Sequence, residues 1–131
     1  MNQDFTEQGV RVLEAFSQQL EQSPAYSSAM LMALNFLLGP TQEIVIAGNA
    51  GSTDTKQMLK LVHGKFMPNA VVLLHEQGSK GAAIEQIVPF ITNQIAKGGK
   101  TTAYVCENYV CNRPINKIDD LDKILSGVSD K

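Results

Sequence analysis

Tryptophan is absent from this chain of 131 residues, and cysteine and histidine occur only twice each. Two cysteines with two distant histidines make a poor closed zinc set, and Cys-x4-Cys matches neither a zinc knuckle nor a Cys-x-x-Cys redox centre. Metal and cofactor are therefore expected to be none. Basic residues are sparse and unclustered, eleven Lys and Arg against thirteen Asp and Glu. No stretch neutralises several phosphates, which argues against nucleic acid as a partner. Long apolar runs are also lacking. The longest, from Ala29 to Leu38, is broken by Asn35 and is about half of what spans a bilayer, so no membrane partner is expected. The polar start Met1-Asn2-Gln3-Asp4 is unlike a basic signal-peptide start, and two cysteines without such a signal point to a reducing, cytoplasmic compartment.

What is present is an ordinary globular composition, 44% hydrophobic, in a chain long enough to bury one core. Phe5, Gly9, Val12, Leu13, Phe16 and Leu20 recur at steps of three and four, which predicts an amphipathic helix over residues 4–22. Ser23-Pro24 reads as a stop and a new start, with Ser23 as N-cap. A second helix over residues 26–38 is apolar almost all round and needs cover on most sides. It is closed by Gly39-Pro40.

From Thr41 the pattern changes. Ile44-Val45-Ile46-Ala47, Ala70 to Leu74 and Thr102 to Cys106 are apolar, non-alternating strands. Helical segments separate them, one beginning near Thr53 and one after Gly81 that Pro89 splits. Asp119 reads as the cap of a short last helix. Strands spaced roughly 30 residues apart with helices between them are βαβ units, and wholly apolar strands indicate a parallel sheet covered on both faces. The fold class is therefore α/β. A helical hairpin over residues 1–40 precedes a small, mostly parallel, three-stranded βαβαβ layer with a short C-terminal helix over residues 41–131.

In a parallel sheet the strands end at one edge, where open α/β folds bind ligands. Three candidates would meet there: the loop Gly48 to Asp54, His75-Glu76, and Cys106-Glu107. A glycine-bearing loop running into a helix offers backbone N–H groups to an anion, so Gly48, Gly51, Ser52 and Thr53 form the anion-binding candidate. The loop lacks the lysine of a P-loop and the third glycine of a dinucleotide fingerprint, so the same residues also read as a turn and helix cap. Either glycine is expected at positive φ. His75 and Glu76, as strand neighbours, point to opposite faces and read as loop residues rather than an acid/base pair. Cys106 and Cys111 have three readings: buried reduced thiols, a redox pair across a hairpin at Glu107 to Val110, or metal ligands. The apolar neighbours of Cys106 favour the first. No catalytic set emerges.

The stretch Thr102-Ala103-Tyr104-Val105-Cys106-Glu107-Asn108-Tyr109-Val110-Cys111-Asn112-Arg113-Pro114-Ile115, then Asp120-Leu121, resembles the C-terminus of the YyaL-like thioredoxin-domain proteins. These include the spermatogenesis-associated thioredoxin-like proteins of animals. Glu43-Ile44-Val45-Ile46-Ala47-Gly48 and Pro68-Asn69 fit the same pattern. The resemblance implies a parent several times longer, with a thioredoxin-like domain, a six-hairpin α/α barrel related to sugar epimerases and glycosidases, and this terminal portion. Phe5 to Leu38 would be the last barrel hairpin, and Thr41 onward an appended module. The family's Trp-Cys-His segment has no counterpart here, so no catalytic residue transfers. The implied function is a non-catalytic structural or interaction module whose partner is the rest of the parent polypeptide, or a second copy through residues 26–38. The alternatives are a small-molecule or anion-binding module using Gly48 to Asp54, and a thiol redox module using Cys106 and Cys111.

Overall fold

A computed structural model describes residues 3–107 and 110–127. The chain divides into two compact units, Met1–Pro40 and Thr41–Lys131. In the first, helix α1 (Gln3–Ala15) gives way at Phe16 to α2 (Ser17–Gln22). Pro24 opens a 3-10 turn, Pro24–Tyr26, rather than the second helix itself, and α3 (Ser28–Leu38) starts after Ser27. Proline supplies the fixed φ for such a turn and needs no N–H partner there. Among the described residues of this unit, Leu20 is the only buried apolar side chain.

The second unit is built on a four-stranded sheet: β1 (Gln42–Ala47), β2 (Ala70–His75), β3 (Thr102–Glu107) and β4 (Val110–Cys111), in the order β2-β1-β3-β4. Helices α4 (Thr53–His63), α5 (Ala82–Ile87) and α6 (Ile118–Leu125) complete it. β1 pairs parallel with β2, Gln42 opposite Ala70 through Ala47 opposite His75. The α/β class and the order of elements are as the pattern implied. β3 differs in direction: it runs antiparallel to β1, with Gln42 opposite Glu107 and Ala47 opposite Thr102. The two-residue β4 is an addition to the expected three strands and pairs antiparallel with β3. The last helix begins one residue before Asp119, so Asp119 and Asp120 sit in its first turn, where they favour the helix dipole without capping it.

Burial explains why the strands do not alternate. Ile44, Ile46, Ala103 and Val105 face one layer, with Met58 and Val62 of α4 and Leu121 of α6. Val45, Ala47, Tyr104 and Cys106 face the other, with Ile91 and the partly buried Ile84 and Val88. β1 lies inside the sheet with both faces covered, so Glu43 through Ala47 are all buried. Each fully buried Ile or Val contributes about 1.5–3 kcal/mol relative to exposure. β2, at the sheet edge, is half-buried. Val88 and Pro89 end α5 after six residues and a 3-10 turn, Pro89–Ile91, follows, as the proline position implied.

The turn from β2 into α5 packs backbone on backbone. A Cβ on Gly81, whose φ of −82° is ordinary, would stand 1.9 Å from the Glu76 carbonyl oxygen. Gly81→Ala should therefore lower stability by about 1–3 kcal/mol, as overpacking does. Chemical denaturation of the two proteins would measure it, and equal midpoints would show that this approach is not maintained in solution.

Candidate functional site

The carboxyl ends of β1 and β2 open into a polar cleft of about 630 Å³ whose walls include Asn49, Ser52, Asp54, Glu76, Lys80 and Thr101. Because β3 is antiparallel, it brings its first residues here instead of its last. The Asp54 carboxylate accepts the backbone N–H of Thr101 through Oδ2 (3.2 Å) and that of Thr55 through Oδ1 (3.1 Å). Thr55 and Thr101, both buried, share a hydroxyl–hydroxyl hydrogen bond of 2.8 Å. Ser52 Oγ lies 2.8 Å from Thr55 Oγ1 and donates to the Asn49 carbonyl at the same distance. The Thr101 side chain, then the Ser52 hydroxyl and the Thr101 backbone N–H, hold the Asp54 carboxyl well below the ordinary carboxylate range.

The loop itself is occupied by the protein's own acceptors. Ala50 N–H donates to Glu76 Oε1 (3.1 Å), Gly51 N–H to Asn49 Oδ1 (2.7 Å) and Ser52 N–H to the Asn49 carbonyl (3.0 Å). Gly48, Gly51, Ser52 and Thr53 are thus gathered at a strand-to-helix turn, with three of its N–H groups engaged internally. Neither Gly48 nor Gly51 adopts positive φ, which corrects the expected tight-turn geometry. Gly48 is needed for proximity instead: a Cβ there would lie 2.6 Å from Thr55 Oγ1 and 2.8 Å from Thr101 Oγ1.

His75 and Glu76 diverge, as strand neighbours must. Glu76 reaches the loop and pairs with Lys80 at 3.7 Å. His75 is 1% exposed, with Nδ1 2.8 Å from the Gln94 carbonyl oxygen and Nε2 2.7 Å from Glu85 Oε1. A carbonyl only accepts, so Nδ1 carries a proton. The pair anchors the segment after α5 to the end of β2. His63 is the last residue of α4, where the helix dipole favours a cation.

Cys106 and Glu107 are not at this edge, since β3 runs away from it. Cys106 and Cys111 are register partners across β3 and β4 and form a disulfide, which replaces the expected pair of reduced thiols. Cys106 is 1% exposed among apolar neighbours as expected, whereas Cys111 is exposed. The hairpin reading of Glu107 to Val110 gives the reason: antiparallel partners face each other, while one continuous strand would separate them. Asn108 and Tyr109, which follow Glu107 in sequence, lie outside the described residues. Closing so short a loop adds on the order of 2 kcal/mol by constraining the unfolded chain. Gln94, 7% exposed, places Nε2 3.7 Å from Cys106 Sγ and 3.5 Å from Cys111 Sγ. Sequence reasoning missed Gln94, Thr55 and Thr101, because nothing in their local pattern sets them apart from a polar loop or a helix turn. Among the described residues no group of three or more His, Cys, Asp or Glu converges to hold a metal ion, and no helix is long and apolar enough to cross a membrane.

These features define a small mixed α/β module with a polar cleft at one sheet edge and a cross-strand disulfide at the other. The chain is homologous to the C-terminal region of spermatogenesis-associated protein 20, which bears out the resemblance carried by the Cys106–Cys111 stretch. It is 32% identical to the human protein, 31% to that of Rattus norvegicus and 29% to that of Mus musculus, each over 124 residues and 95% of this chain. It spans 16% of the length of these relatives. No family model matches the chain, and no solved structure matches it.

Asp54 should titrate well below the unperturbed carboxylate value of about 3.9. Its folded pKa is depressed, so its contribution to stability is present above that value and is lost as pH falls below it. A carbon-13 titration of its carboxyl should still show the ionised form at about pH 3, where ordinary Asp is mostly protonated. An ordinary midpoint would mean that the Thr101 contacts do not form. Gly48→Val should cost about 1–3 kcal/mol through its contacts with Thr55 and Thr101, while Gly51→Val, which meets only Asn49 Oδ1 at 3.1 Å, should cost less. A reversed order in thermal denaturation would sink the close-approach account.

Proposed function

We propose that the chain is a non-catalytic structural and interaction module of a larger polypeptide, with residues 1–40 as its contact surface. That it corresponds to a domain of a larger protein follows from the homology; the contact role is the proposal. The observation that carries it is the apolar exposure of the helical unit. Phe5, Met32 and Leu38 are 73%, 68% and 75% exposed, and Phe36 and Leu37 are exposed as well. Both apolar cores lie wholly within residues 41–131. Large apolar surfaces of this kind mark protein contacts. By the family resemblance the cover is the α/α barrel of the parent, of which Phe5 to Leu38 would be the last hairpin. A cytosolic setting and a thioredoxin-like domain elsewhere in the parent belong to the same reading.

The cleft at the Gly48 loop favours this reading over anion binding, since its two carboxylates, Asp54 and Glu76, already occupy backbone N–H groups there. Without the barrel, α3 should find a second copy of itself. Sedimentation at tens of micromolar should show association, and Met32→Asp with Leu38→Asp should return the chain to a monomer without lowering the melting temperature of the α/β unit. A wild-type chain that sediments as a clean monomer would reject the contact surface.

A further inference from the structure

We propose that Cys106–Cys111 is a thiol–disulfide exchange site, with Cys111 as the sulfur attacked, Cys106 as the leaving thiolate and Gln94 as the residue that sets the redox balance. Three observations carry this, independently of the contact-surface role. The first is asymmetry: Cys106 is 1% exposed and Cys111 is exposed. An incoming thiolate therefore reaches Cys111 Sγ and displaces Cys106.

The second is the Gln94 amide, whose Nε2 lies within 3.7 Å of both sulfurs. Disulfide sulfurs only accept, so they hold the NH2 end of the amide. That end also donates to the thiolate that leaves on Cys106. The third is the other end of the same amide: among the described residues, Gln94 Oε1 is buried without a hydrogen-bond partner. A buried acceptor left unpaired is costly, and no described residue satisfies it in the oxidised form. Reduction creates two S–H donors beside the amide. With the S–S bond broken, one sulfur can keep the NH2 end while the other turns about its χ1 and donates its S–H to Oε1. The oxidised form carries an unsatisfied acceptor that the reduced form can satisfy, which raises the reduction potential. Gln94 is itself held by its backbone carbonyl, which accepts from His75 Nδ1 at 2.8 Å.

The exchange balances with a monothiol such as glutathione as reductant. Its thiolate attacks Cys111 Sγ, an S–S bond forms to Cys111, and the Cys106–Cys111 bond breaks. The electron pair goes to Cys106 Sγ, which takes a proton from solvent. A second glutathione thiolate attacks the glutathione sulfur of the mixed disulfide and releases Cys111 and glutathione disulfide. Two electrons pass from two thiols to one protein disulfide. In a reducing compartment, where disulfides are usually transient and catalytic or redox-sensing, such a site cycles instead of acting as a staple.

The test equilibrates the native chain in glutathione buffers and counts alkylated thiols by mass spectrometry, with circular dichroism confirming the fold. The folded chain should be reduced reversibly. Gln94→Leu removes the unpaired acceptor, so its ratio of reduced to oxidised protein should fall about tenfold at fixed buffer, equal to about 30 mV. Cys106→Ser should form a mixed disulfide with glutathione disulfide at Cys111 at least tenfold faster than Cys111→Ser does at Cys106. If either serine variant fails to fold, peptide mapping of the first glutathione adduct on the wild type gives the same answer. Reduction only after denaturation overturns the site. An unchanged or opposite ratio in Gln94→Leu overturns the role of Gln94, and adducts on Cys106 overturn the assigned polarity.

Discussion

The junction of Asp54 and Thr55 with Thr101 is the constraint on which the α/β unit depends. A carboxylate at the start of α4 accepts the N–H of Thr101, and the two buried threonine hydroxyls bond to each other. Thr102 continues the lock: its Oγ1 accepts from Lys97 N–H and Asn116 Nδ2 and donates to the Lys100 carbonyl. Gln94 and Ile95 are tied in the same region, the first to His75 and the second by its carbonyl to the Tyr104 hydroxyl. With the segment after α5 held at the carboxyl edge of β1, β3 can only start there and run backwards. The antiparallel direction goes with these long-range contacts, several of them made by the strand's own Thr102 and Tyr104.

That reversal separates two regions that a parallel sheet would have merged. The carboxyl edge becomes a polar cleft whose donors and acceptors are largely satisfied within the chain. The opposite edge receives Cys106, Glu107 and the short β4, and with them the disulfide. β4 has two residues and is joined to the sheet by its ladder with β3 and by the sulfur bond. Asn112 N–H on the Val105 carbonyl and the bridge of Ile115 to Ala103 then carry the chain back along β3. The segment quoted for the family resemblance includes this excursion: β3, the short β4, the cross-link between them and the return along β3. Its residues build one edge of the sheet.

Residues 1–40 present a different balance. Their apolar side chains are spaced as a helix requires and are mostly left exposed, while residues 41–131 enclose two complete cores. The contact role proposed for this segment would bury that surface. That is what a terminal piece matching one part of much longer relatives would require.

Much of this was legible from residue order, because the forces concerned are local. The 3.6-residue and continuous apolar patterns located the helices and three of the strands, and Pro89 marked the break after α5. The Cys106–Cys111 stretch carried the resemblance that the homology to the C-terminal region of spermatogenesis-associated protein 20 bears out. Strand direction, the fourth strand, the close approach at Gly48 and the partners of Gln94 were decided only by tertiary structure. Each depends on groups brought together from distant parts of the chain, such as Asp54 with Thr101 and Gln94 with Cys106. Parallel and antiparallel neighbours bury the same side chains on the same faces, so hydrophobic pattern cannot separate them. Long-range hydrogen bonds can.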